Sequence, residues 1–281
     1  MVSKIGLRRH GPRTVLAAAI ALLCAGTITA TPAYAANRVG RATFFSTGVS
    51  QVSDVASGAD SSVWVTGVTG TFNIVRGTAQ APATYSLAGS RIAVGPDGLP
   101  WIIDFGNRIF RGNADGTVSQ VTGLAHDIGV GQDGSVWIVS NIPTNGSWAV
   151  EELISGGFVI PLGGGSGLSI DVSATGQPVV NGIDGKIWQR DPSGRWAELT
   201  GRANDVAVTP NFVAGGPAGG SALWIAGRNA VTGGGGIWNF NGGDWWFFPG
   251  QGATEITVGN QGVWFVNNNG NLFRVAAASE P

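Results

Sequence analysis

Cysteine is nearly missing from this 281-residue chain, and the one present, Cys24, lies within the first 35 residues. Beyond residue 35 no disulfide can form, so stability has to come from packing and from closure of the fold. Histidine is as scarce. Past that point only His126 remains, which with no cysteine excludes the usual zinc ligand sets. Lysine is reduced to Lys186. Four of the 16 basic residues (Lys4, Arg8, Arg9, Arg13) sit in the first 35, which leaves 12 against 17 acids, a net charge of −5. That balance argues against nucleic acid and against anionic membrane surfaces as partners. No stretch shows the 3.6-residue apolar period of a long helix, and no G-x-S-x-G nucleophile elbow is present. With bases and metal ligands so few, the chain is expected not to be an enzyme, with no catalytic residue, metal or cofactor assigned. A pair of acids acting as in glycosidases is left open.

What is present begins with a three-part leader. A basic start is followed by the small and apolar run Thr14 to Ala30, then by Ala33-Tyr34-Ala35. This fits a secretory signal over residues 1–35, cleaved after Ala35, with no membrane insertion of the remainder. Leu23 before Cys24 does not suit a lipoprotein signal. Residues 36–281 are then expected to be a single extracellular domain.

Glycine is abundant, at 47 residues, and eleven tryptophans accompany it. Their spacing is regular. Short apolar strands start at Val55, Ile92, Ile128, Ile170, Val206 and Ile256, in steps of 37, 36, 42, 36 and 50 residues. Trp64, Trp101, Trp137 and Val179 follow the first four anchors by nine residues, and Trp264 follows the last by eight. Trp224 is displaced by the glycine-rich insertion Asn211 to Ser221. Each unit reads as four short strands, with hairpin turns at Asp97-Gly98, Asp133-Gly134 and Asp184-Gly185. Strands such as Ile92-Ala93-Val94 lack clean alternation, as expected of sheets covered on both faces. The predicted fold is all-β, a six-bladed β-propeller of four-stranded blades. The chain stops after a third strand, Leu272 to Val275, and the aromatic strand Arg41 to Ser46 is expected to complete that blade and close the ring.

The order of anchor strand, glycine turn, V-W-x-V strand, I-W/F strand and W-x-x-L/V strand resembles the tectonin repeat. The text that carries it includes DIGVGQDGSVWIV, KIWQRDPSGRWAELTG and GIWNFNGGDWWFFPG. The resemblance implies a tachylectin-like or fish-egg-lectin-like propeller, a secreted multivalent lectin that binds glycans or bacterial surface polysaccharide at repeated sites. The alternative is a propeller enzyme, lyase- or hydrolase-like, with one site at the channel mouth, or a non-catalytic interaction scaffold.

Two sets of residues are candidates for binding. The residues before the anchors, Asp54, Arg91, Asp127, Ser169, Asp205 and Glu255, are expected to converge on the channel mouth, where they could meet a cation or ligand hydroxyls or simply bond the backbone of their own turns. The loops between second and third strands offer Asp104, Asn107, Asn181, Asp184, Asn267 and Asn269, suited to sugar hydroxyls and equally to tight turns. The grid tryptophans are expected to be core. Trp246 follows Trp245, points to the opposite face and lies on an outermost strand, which makes it the candidate aromatic platform.

Overall fold

The computed structural model describes residues 38–77, 84–209, 223–241 and 243–279; the signal expected over 1–35 and the insertion Asn211 to Ser221 lie outside them. The described residues are all-β, without a helix, and their sheets are arranged as in a propeller. Three sheets have four antiparallel strands each. One is the meander Val52–Ser57, Val63–Gly67, Gly70–Val75 and Thr84–Tyr85. Another is Ser169–Val172, Pro178–Asn181, Ile187–Arg190 and Trp196–Leu199. The third joins Glu255–Gly259, Gly262–Val266 and Leu272–Ser279 to Arg41–Ser46 from the other end of the sequence. Arg41 faces Ser279 and Ser46 faces Phe273 in that antiparallel pair.

The other two sheets are larger for identifiable reasons. Strand Val118–Val130 is 13 residues long and pairs first with Arg108–Gly112 and then with Val136–Thr144, so it joins two meanders into one sheet. In the five-stranded sheet, Arg38–Val39 adds in parallel outside Asp244–Ala253, opposite Trp246 and Phe247. Gly40 turns the chain from this sheet to the next, its N–H bonded to the Phe247 carbonyl. A Cβ at Gly40 would collide with the Phe248 ring.

The first strands of the meanders lie side by side, and the apolar clusters sit between neighbouring sheets. Strand Val63–Gly67 is buried at every position, which is why its sequence does not alternate. Trp64, Trp137, Trp224 and Trp264 are buried, as is Val179 in the place of a tryptophan. Trp245 packs with Val179 and Val206, and Trp246 with Phe248 and Phe265, so the two rings serve opposite faces of one sheet. Removing a buried side chain of this size from water contributes roughly 1.5–3 kcal/mol.

The hairpin turns at the Asp-Gly pairs follow one design. In Gly95 to Leu99 the first N–H bonds the fifth carbonyl and the fourth N–H bonds the first carbonyl. The fourth residue, Gly98, has φ +75°, and its counterparts Gly116, Gly134, Gly185 and Gly270 do likewise. This is a type I turn closed by a left-handed residue. The aspartate sits one place earlier and caps the turn: Asp133 Oδ1 accepts from the N–H and the hydroxyl of Ser135. Asn107 (φ 63°) and Ser61 (φ 68°) occupy the left-handed position in their own turns. Asn107→Gly should therefore leave stability nearly unchanged. Asn107→Val should cost about 2 kcal/mol in urea unfolding, because a β-branched residue is strained there. Equal stability of the two variants would contradict this assignment.

Candidate functional site

A channel is lined by the first strands. Its wall includes Asp54, Asp127, Asp171, Asp205 and Glu255. The carboxylates reach this position through backbone irregularities. The pairing register slips at Ser53, His126 and Asn204, so each following aspartate is set by a bulge.

Each aspartate bonds two backbone N–H groups, one of them in a neighbouring sheet or meander. Asp54 accepts from Val55 at 2.7 Å and from Ile92 at 2.9 Å. Asp127 accepts from Ile128 at 2.9 Å and Ile170 at 2.8 Å. Asp205 Oδ2 accepts from Ile256 at 2.8 Å. Asp171 accepts from Val172 at 2.8 Å and Val208 at 2.7 Å. The acids are thus staples between first strands, not only caps of their own turns. Arg91 crosses to two of them: its guanidinium lies 3.2 Å from Glu255 and 3.7 Å from Asp127.

Burial sets the protonation of this cluster. Loss of water pushes Asp127 up to about 7, against the attraction of Arg91 and the two backbone bonds. Asp171 is likewise pushed up to about 7 by burial, against its two N–H bonds. Burial raises Asp205, and it holds Asp54 and Glu255 well above the usual carboxylate range despite Arg91. For Arg91 burial works against the charge, but Glu255 and then Asp127 outweigh it and hold the group cationic. The acids feel one another, so they titrate as a set. His126 stacks on Trp148 with ring centroids 4.2 Å apart. Burial, then Arg91, lowers its pKa.

The structure brings together the five residues expected at the mouth: Asp54, Arg91, Asp127, Asp205 and Glu255. Ser169 bonds Asn181 through its N–H and hydroxyl, and its side chain also bonds Asp205 of this set. Asp171 was not among the sequence candidates. Its signal is present, since it holds the place taken by Ala56, Ala93, Gly129, Ala207 and Thr257 in the other anchor strands.

The loop residues are largely consumed by their own loops. Asp104 accepts from the N–H groups of Gly106 and Arg108 and from the Arg108 guanidinium. Although partial burial works the other way, those bonds hold its carboxyl below the usual range. Asn181 also donates to the carbonyls of Ala203 and Asn204. Asn267 accepts from the N–H groups of Asn269 and Asn271, and Asp184 from that of Lys186. Trp246 is not the open platform expected. The added strand Arg38–Val39 lies outside it, the Arg38 guanidinium sits 5.1 Å over its ring, and only 6 % of the residue is exposed. No group of three His, Cys, Asp or Glu residues able to hold a metal ion occurs among the described residues.

The fold and its lined channel define a propeller-like all-β protein. No family model matches the sequence, and no curated protein matches it. Solved structures share the fold. A gluconolactonase from Xanthomonas campestris is 15 % identical, with TM-score 0.53 over 87 % of this chain and 91 % of that one. YCF48 bound to the D1 peptide is 16 % identical, with TM-score 0.50 over 80 % and 77 % of the two chains. Virginiamycin B lyase from Staphylococcus aureus is 21 % identical, with TM-score 0.49 over 79 % of each. The expectation that the chain is not an enzyme is corrected here. A gluconolactonase uses this fold, so scarcity of histidine, cysteine and lysine does not exclude catalysis on it.

Proposed function

We propose that the carboxylate end of the channel is a single acid–base site, and that the chain is a propeller enzyme of hydrolase or lyase type. The observation that carries this reading is the pair Asp127 and Asp171, both lining the channel and both pushed up to about 7. A carboxyl in that range exists in both protonation states near neutral pH, so one can donate a proton while the other accepts one. Their N–H bonds do not consume them, because a carboxylate has about four acceptor sites. Arg91 is already engaged by Glu255 and Asp127, which favours an uncharged, hydroxyl-bearing substrate over an anion. The glycan partner implied by the tectonin resemblance has less support, since the loop Asp and Asn side chains are tied up locally.

The same reading includes a closed ring of six blades. The long strand Val118–Val130 is taken as the link between two of them. Contact of Glu255–Gly259 with Val52–Ser57, and the pairing of Arg41–Ser46 with Leu272–Ser279, support closure. Export to the extracellular space is supported by the sequence of residues 1–35.

The test is turnover of a panel of lactones, esters and glycosides by wild type, Asp127→Asn and Asp171→Asn. Each variant should keep its circular dichroism and lose at least about a hundredfold in kcat/KM, as expected for loss of a general acid or base. Wild-type turnover by both variants would place the chemistry elsewhere.

A further inference from the structure

In several meanders the residue two places before the anchor is a tie, and His126, at that same place, is not. Ser90, Asn204 and Thr254 hold the equivalent position. Each bonds its side chain to a carbonyl of the second strand beside it: Ser90 Oγ to Ile103, Asn204 Nδ2 to Gly227 and Thr254 Oγ1 to Val266. His126 sits in the bulge that sets Asp127 and stacks instead on Trp148, with ring centroids 4.2 Å apart and planes at 29°. Its Nε2 is buried with no hydrogen-bond partner. A buried nitrogen without a bond costs stability, and phenylalanine would pack on tryptophan without that cost. Packing alone therefore does not account for an imidazole here.

The surroundings of the ring depart from the repeat as well. Trp148 lies off the tryptophan grid and is held from two sides. It faces Pro143 across its own hairpin and Gly167 on the way into the next first strand. It also packs with Trp137, Val150 and Ile170, so the surface under His126 is fixed. Arg91 stands where other meanders place Asp54, Asp127, Asp205 and Glu255. Its Nε lies 3.7 Å from Asp127 Oδ1, too far for a hydrogen bond, and like His126 Nε2 it is buried with no hydrogen-bond partner. Burial first and Arg91 second act against protonation of His126, which puts the guanidinium near the imidazole. Asp171, the carboxyl among small residues, directly follows Ile170. The four departures, Arg91, His126, Trp148 and Asp171, thus gather around Asp127.

We propose that His126 is a substrate-contacting residue of the acid–base site, and that with Arg91 it selects a neutral substrate carrying a hydroxyl near the bond that reacts. This role rests on the acid–base reading of Asp127 and Asp171. The chemistry follows from what the two side chains leave unused. Arg91 Nε offers one N–H donor. At about pH 8 a histidine of ordinary or lowered pKa is uncharged, so one of its nitrogens is an acceptor. One donor and one acceptor beside Asp127 complement a hydroxyl, which accepts one bond and donates another. A carboxylate has no proton to give His126, and an ammonium would face Arg91. An ether or alkyl group cannot serve both. The hydroxyl is then held next to a carboxyl assigned to move a proton, which orients the reacting bond toward it.

The probes are glucono-δ-lactone and methyl β-glucoside, each paired with the same ring stripped of hydroxyls, δ-valerolactone and 2-methoxytetrahydropyran. At about pH 8, and after correction for uncatalysed rates, wild type should favour at least one hydroxylated probe over its parent ring by about tenfold or more in kcat/KM. His126→Phe keeps a ring on Trp148 and should reduce that preference at least about tenfold, mainly through KM. Thermal melts check that the variant stays folded. An unchanged preference in His126→Phe overturns the proposal, and if Asp127→Asn is inactive in the same assay the acid–base site stands without it. Binding is read separately on the unmutated protein by proton NMR. No other histidine lies within residues 36–281, so the imidazole signals of that unit belong to His126. They should shift with a hydroxylated probe and stay in place with the parent rings. Such shifts without turnover of any probe support the hydroxyl contact and count against the acid–base reading. Absence of a shift with both hydroxylated probes overturns the proposal.

Discussion

Replacing Phe44 with aspartate is expected to destabilise the protein by about 3 kcal/mol or more, while the same change at Phe45 stays within about 0.5 kcal/mol. The two residues are neighbours on strand Arg41–Ser46 and point to opposite sides. Phe44 faces Val275 across the pair, meets the Phe265 ring edge-on at 5.6 Å and packs with the cluster that holds Phe248 and Ile256. Phe45 is 57 % exposed. The comparison isolates what the first strand contributes at the seam with Leu272–Ser279. A loss of that contact leaves the last strand with an open edge, which also favours association of unfolding molecules. Urea unfolding with fluorescence detection gives both values. Equal effects at the two positions would mean that the pairing contributes little to stability.

Stability is expected to fall by at least about 2 kcal/mol between pH 5 and pH 8, because one unit of pKa shift corresponds to about 1.4 kcal/mol. The direction follows from the buried acids. Asp127 and Asp171 move from an ordinary value of 3.8 to about 7 in the folded chain. Between those values the folded protein keeps protons that the unfolded chain has released, so raising the pH favours unfolding. Asp54, Asp205 and Glu255 shift in the same direction, through burial. The acids held low by local bonds, such as Asp104, act oppositely, but their stabilisation is lost only as pH falls below the ordinary carboxylate range. Thermal melts should therefore show the highest Tm near pH 5. Asp127→Asn resembles the protonated form, with one acceptor oxygen for two N–H groups, and should make the fall in stability between about pH 4 and pH 7 shallower. A Tm that rises steadily from pH 5 to pH 8 would contradict the assignment.

Much of the architecture was legible in the residues. The recurrence of Trp64, Trp101, Trp137, Trp224 and Trp264 after apolar anchors marked second strands, since only covered sheets hold tryptophan at a fixed place. The aromatic strand Arg41 to Ser46 was legible as the partner of the last meander, and that pairing is present. What stayed hidden depends on contacts between distant segments. Trp246 read as an outer residue because nothing in Arg38-Val39 announces a two-residue parallel strand. Asp-Gly pairs named the turns but not their type, since a left-handed fourth residue is shared by Gly98, Asn107 and Ser61. The residues before the anchors were visible as a ring. Their bonds to Ile92, Ile170 and Ile256 were not, because a sequence does not show which backbone donor in a neighbouring sheet lies opposite. Asp171 was visible only as a charge among small residues.

The most direct measurement is the titration of the aspartate side-chain carboxyls by carbon-13 NMR, with Asp127→Asn and Asp171→Asn used to assign the signals. Two carboxyl resonances titrating near pH 7, each lost in its own variant, are expected if the channel holds proton-sharing acids. Titration of every aspartate below pH 5 would contradict both the buried cluster and the chemistry assigned to it.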